Sequence, residues 1–142
     1  MLMTPELLES FLKARYELRL PSGTVVLAVD QQCAPLGQWL GASGCTCAAL
    51  LTGYNPGGRL RDDSLNTVAQ RQLESRLANG GYTLIQGTAV DTSGHWPPEP
   101  SLLAAGISFA EAMSVARDFG QAAYLWFEAD TPRLVETSQA TR

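Results

Sequence analysis

The sequence predicts an α+β domain with a ferredoxin-like βαββαβ core, an antiparallel or mixed sheet extended by N- and C-terminal strands, and helices mainly on one face. Three observations carry this expectation. From Cys45 onward the segments read strand, helix, strand, strand, helix, strand, which is the split βαβ order. Residues 45–54 (CTCAALLTGY) and 122–129 (AAYLWFEA) are apolar on both faces, as central strands are. Two amphipathic stripes with start and stop signals occupy the helix positions between them.

In chain order, Thr4-Pro5-Glu6 starts a helix with a capping hydroxyl and a proline in the first turn. Leu7, Leu8, Phe11 and Leu12 then form its apolar stripe. Residues 16–20 alternate as a short strand, Pro21-Ser22-Gly23 turns, and 24–30 is a β-branched strand. Residues 35–42 read as a short helix or irregular turn closed by Gly44. After the 45–54 strand, Asn55-Pro56-Gly57-Gly58 breaks the chain, and Asp62, Asp63 or Ser64 caps a helix with Leu65, Val68, Ala69, Leu73 and Leu77 on one face. Asn79-Gly80-Gly81 stops it. Residues 82–90 and 101–107 are strands flanking a proline loop, and Ser108 with Glu111 forms a capping box for a helix ending at Gly120. A strand over 122–129 and a short one over 133–136 complete a single domain, with a core of about 14–136 and a frayed polar tail over 137–142.

Composition excludes several function classes. The 142 residues suffice for a core without disulfides or metal. A net charge of -4 with no basic stripe argues against nucleic acid, whose phosphates need neutralising. No basic leader and no long apolar run is present, so a cytoplasmic protein without membrane contact is expected. Cys33, Cys45 and Cys47 make no disulfide framework, and Cys45 and Cys47, two apart, are expected on one strand face as small hydrophobes.

The candidate site follows from topology. Strands joined by a crossover helix run parallel, so the strand ends near Tyr54 and Val90 share one end of the sheet. Tyr54 to Arg59, the helix start around Asn66, the 91–101 loop and Gly120-Gln121 all converge there. The stretch Gly94-His95-Trp96-Pro97-Pro98-Glu99-Pro100-Ser101 places the only histidine, a tryptophan and an acid among prolines that reduce the loop's ordering cost. Glu99 and His95 are the candidate acid–base pair. Tyr54, Asn55, Arg59, Asn66, Trp96, Ser101 and Gln121 are the candidate ligand contacts, and three amides beside one acid suit a polar small molecule. His95 lies four residues from both Asp91 and Glu99, but prolines and glycines prevent the helix that would align them on a metal, and no metal or cofactor is implied. Gly57-Gly58 ahead of a helix suggests an anion cradle assisted by Arg59 or Arg61, against which Asp62 and Asp63 stand. The Walker lysine is missing, and so is any G-x-S-x-G nucleophile elbow.

These residues also carry a family resemblance. Thr52-Gly53-Tyr54-Asn55-Pro56, Asn66 with its arginine- and leucine-containing helix, Glu99-Pro100-Ser101 and Phe119-Gly120-Gln121 before an apolar strand resemble the bacterial domain-of-unknown-function family numbered 3293. The resemblance spans about residues 14–136, with 31–44 the least similar part. It implies motif positions at Asn55, Asn66, Glu99, Ser101 and Gln121, and no activity. Two functions are therefore expected: binding of a polar small molecule at one sheet end, or a non-catalytic interaction module that includes a homodimer. No reaction is assigned.

Overall fold

The computed structural model describes residues 3–138. Helix α1 (Pro5–Lys13) is followed by β1 (Arg15–Leu20), β2 (Gly23–Leu27), α2 (Ala34–Ala42), β3 (Cys47–Leu51), α3 (Asp63–Asn79), β4 (Thr83–Val90), β5 (Glu99–Ala105), α4 (Phe109–Asp118), β6 (Ala123–Glu128) and β7 (Thr131–Glu136). The strands form one seven-stranded sheet in the order β2-β1-β4-β5-β3-β6-β7. Every neighbouring pair is antiparallel. The sheet is therefore not mixed. The N-terminal hairpin extends it beyond β4, and β7 extends it beyond β6.

Helices cover both faces, where most were expected on one. Leu36 and Leu40 of α2 pack with Leu50, Leu103, Leu125 and Phe127. Leu73 and Leu77 of α3 and Ala112, Met113 and Ala116 of α4 pack with Leu51, Leu102, Ala104 and Trp126. The cause is legible in the doubly apolar central strands. Successive side chains alternate faces, so each face of β3, β5 and β6 exposes its own apolar row and each requires cover. The dissimilar 31–44 segment supplies that cover as α2.

Local differences have simple causes. β5 starts at Glu99, not Ser101, and runs through Pro100. β3 joins β5 only as far as Leu102, so Pro100 sits where β5 has one strand neighbour, Thr88 of β4. In α3 the buried positions are Asn66, Leu73 and Leu77, whereas Leu65 and Val68 are exposed. A polar residue, Asn66, leads the buried stripe, which rotates the helix from the face its leucines and valine suggest. Cys45 and Cys47 lie against opposite faces, because β3 begins only at Cys47 and strict alternation does not reach back to Cys45. Thr137 is buried and its hydroxyl donates to the carbonyls of Gln121 (2.7 Å) and Ala122 (3.1 Å). Residues 139–142 of the expected tail lie outside the described residues.

Candidate functional site

One end of the sheet carries a cluster of buried amides. After β3 the chain turns through Asn55, which takes a left-handed conformation with φ 46°, a region that asparagine tolerates well. Asn55 and Asn66 bond reciprocally. The Asn55 N–H donates to Asn66 Oδ1 at 2.8 Å, and Asn66 Nδ2 donates to Asn55 Oδ1 at 2.7 Å. Arg61 clamps the pair: its Nε donates to Asn66 Oδ1 (2.7 Å), its backbone N–H to Asn55 Oδ1 (3.1 Å) and its Nη2 to the Gly53 carbonyl (3.1 Å). Gln70, one turn on from Asn66, accepts the Gly53 N–H at 2.8 Å. Gln121 Nε2 donates to the Tyr54 carbonyl at 2.9 Å, and the Gly57 N–H donates to the Gly120 carbonyl at 2.9 Å.

Glu99 joins this cluster through one oxygen. Asn55 Nδ2 donates to Glu99 Oε2 at 2.7 Å. Register aligns Tyr16 with Ala89 and Ala89 with Glu99, so the three share one row on the α2 side of the sheet. Ser101 lies on the same face two residues along. A cavity of about 140 Å³ opens over this row. Its walls are Leu7 and Phe11 from α1, Ala14 just after it, Leu50, Ala89 and Trp96, and its polar lining includes Asn55, Glu99, Ser101 and Gln121. Ser101 is 3% exposed and its Oγ has no hydrogen-bond partner. The other buried hydroxyl without a partner is that of Tyr124, a residue that contributes to the cavity lining but whose ring packs in the opposite core, 6.5 Å from that of Phe109.

Electrostatics single out the same row. Burial pushes the Glu99 carboxyl above its ordinary pKa, opposed by the Asn55 hydrogen bond, which favours the charged form. Tyr16 is raised as well, first by burial and then by the Glu99 charge, and its hydroxyl donates to the Phe11 carbonyl at 2.7 Å. Asp91 also lines the cavity but is turned into its own loop. It accepts from the Ser93 hydroxyl (2.7 Å), the Ser93 N–H (3.0 Å) and the Trp96 N–H (2.9 Å), and the Ser93 bonds hold its pKa low.

The sequence candidates thus separate. Asn55, Glu99, Ser101, Gln121 and Trp96 line the cavity, and Asn66 braces it from beneath. Tyr54 contributes backbone, its carbonyl to Gln121 and its N–H to Thr52 Oγ1. His95 is exposed, outside the cavity lining, with Nδ1 2.8 Å from Ser93 Oγ. Arg59 is exposed beside a second depression formed with Thr4 and Pro56. The anion cradle is consumed internally: the Gly57 and Gly58 N–H groups bond the Gly120 and Asn55 carbonyls, and Arg61 holds Asn66. Among the described residues no group of three or more His, Cys, Asp or Glu gathers as a metal cluster. Sequence reasoning misses Tyr16, Phe11 and Gln70 at the site, and it names Arg61 only as an aid to an anion, whereas Arg61 clamps the paired amides. Gln70 carried a signal, since it continues the 66, 70, 73, 77 stripe.

A family model described as a protein of unknown function (DUF3293) matches residues 51–124. The chain belongs to that family. In this DUF3293 protein the matched segment contains Asn55, Asn66, Glu99, Ser101 and Gln121, whereas α1 and Tyr16 lie outside it. No curated protein and no solved structure matches the chain. No helix of the described residues is long and apolar enough to cross a membrane.

The raised Glu99 pKa fixes a sign for stability. Its folded pKa exceeds the unfolded one, so the stability tied to Glu99 is complete below the unfolded pKa and is lost as pH rises through the folded pKa. Glu99→Gln keeps an amide oxygen for Asn55 and stays neutral throughout. It is expected to melt a few degrees above wild type at about pH 8 and equally at about pH 4. Calorimetry at both pH values checks this, and a variant melting lower at the higher pH would mean that the charge itself holds β5 to Asn55.

Proposed function

We propose that this protein binds a small molecule that places a polar group against Glu99 and Ser101. One observation carries the reading: a half-buried carboxylate with a single amide partner lines a cavity beside a buried hydroxyl that has none. Native proteins leave few buried polar groups unsatisfied, so an unpartnered Ser101 hydroxyl beside a carboxylate that faces the same cavity argues for a missing partner. The capacity of about 140 Å³ is close to the ~150 Å³ of an engineered cavity that accepts benzene. A single ring or short aliphatic chain with one polar substituent fits that scale. No nucleophile is proposed, because the only histidine lies outside the lining.

The scaffold reading that goes with it is a ferredoxin-like core. The order β4-β5-β3-β6, with antiparallel neighbours and crossovers through α3 and α4, supports it. Three free thiols suit a reducing, cytoplasmic setting.

A fragment screen read by amide and indole NMR tests the binding function. Bound fragments are expected to move the Trp96 indole and the Asn55 and Gln121 side-chain amide resonances together. A screen that moves none of them sinks the reading. An interaction module is the second reading, favoured by Leu60, just before α3, and Leu65 and Val68 in its first turns, each more than half exposed. Light scattering distinguishes it, since a stable self-contact would double the mass.

A further inference from the structure

Glu99, half-buried against the cavity, lacks a cationic partner. Among the described residues its hydrogen-bond partner is the neutral Asn55 amide, and no ion pair includes it. The cavity lining holds two acids, Asp91 and Glu99, and no lysine, arginine or histidine. Asp91 is satisfied by its own loop, which leaves Glu99 as the charge the cavity presents. Ser101 Oγ, buried and unpartnered on the same strand face, adds an acceptor for a second N–H. Phe11 and Trp96 supply aromatic surface above it.

A negative ligand is disfavoured here, because it would meet a half-buried carboxylate with no cation in the lining to offset it. A metal ion is poorly served, because hard cations take six or more oxygen ligands and this cavity is walled mainly by apolar side chains. An organic ammonium answers each feature. Its charge compensates Glu99, its N–H groups reach Glu99 and Ser101, and its apolar body occupies the space beside Phe11 and Trp96.

We infer that the cavity is an amine site: it takes a small primary ammonium with an apolar or aromatic body, paired to Glu99 and hydrogen-bonded to Ser101. This deepens the binding function proposed above and rests on it.

Benzylamine and its neutral isostere benzyl alcohol separate the two levels. Titration calorimetry of the full chain at about pH 7.5, where the amine is cationic, is expected to show benzylamine binding about tenfold or more tighter than benzyl alcohol. Glu99→Gln is expected to weaken benzylamine about tenfold or more and so erase its preference over benzyl alcohol. The wild-type comparison alone is decisive should the variant not fold. Equal affinity for the two compounds, or preference for the alcohol, overturns the amine assignment and leaves the cavity a ligand site. Failure of both compounds to bind overturns the amine assignment together with the binding function.

Discussion

Asn66→Ala is expected to lower the unfolding free energy by about 3 kcal/mol and the melting temperature by about 10 °C. Asn66 is 3% exposed and serves three partners, accepting from the Asn55 N–H and Arg61 Nε and donating to Asn55 Oδ1. Alanine returns none of these bonds. The Asn55 N–H and one bond to Asn55 Oδ1 are lost in a place that water reaches poorly, and each orphaned group costs about 1–3 kcal/mol. Arg61 loses its anchor to α3 as well. Thermal melts monitored by circular dichroism give the shift directly. Asn66→Asp is the informative companion: it keeps the oxygen that Asn55 and Arg61 use but sets a second oxygen against Asn55 Oδ1. It is expected to recover only part of the loss, and a full recovery would show that the donor half of the pair is idle.

Gly53→Ala has the next largest expected effect, about 2 kcal/mol or about 7 °C. A Cβ at Gly53 would sit 2.9 Å from the carbonyl carbon and 3.0 Å from the oxygen of Ala69, and 3.1 Å from the Gln70 nitrogen. All three atoms are backbone of α3, so the helix itself must move. That movement lengthens the Gly53–Gln70 bond and loosens the Arg61 clamp on the Gly53 carbonyl. Both changes act on the same wall of the site. Gly41→Ala is the control. It lies in α2 with nothing within 4 Å of its Cβ, and the helical preference of alanine over glycine is expected to stabilise it by up to about 1 kcal/mol. Chemical denaturation of the two variants side by side separates crowding from backbone propensity.

Much of this architecture was legible because it depends on local pattern. Thr4 and Ser108 cap their helices as their spacing indicates, and the doubly apolar segments became the central strands β3 and β6. The convergence of Asn55, Asn66, Glu99 and Gln121 followed from chain direction alone, since crossover helices fix which strand ends meet. Three features stayed hidden for a common reason: each depends on a partner distant in sequence. Pro100 is tolerated inside β5 because β3 ends where it does. Asn66 turns inward because Asn55 and Arg61 await it. Tyr16 enters the site because β1 pairs with β4 across a separation that no periodicity reports. His95 illustrates the opposite error, since chemical rarity in the sequence drew attention to a side chain that faces solvent.

α1 walls the cavity, yet none of its residues is fully buried. Its attachment rests on a few contacts, among them the Tyr16 hydroxyl on the Phe11 carbonyl and the Thr92 hydroxyl on the Lys13 carbonyl. An element that buries so little loses little on detaching, so its opening free energy lies well below that of the sheet. Transient release of α1 would therefore uncover the cavity, while the floor made by β4 and β5 stays closed. Deuterium should enter the α1 amides long before those of β5, and an occupant spanning Phe11 and Glu99 would make the helix exchange at a slower pace without altering a single strand.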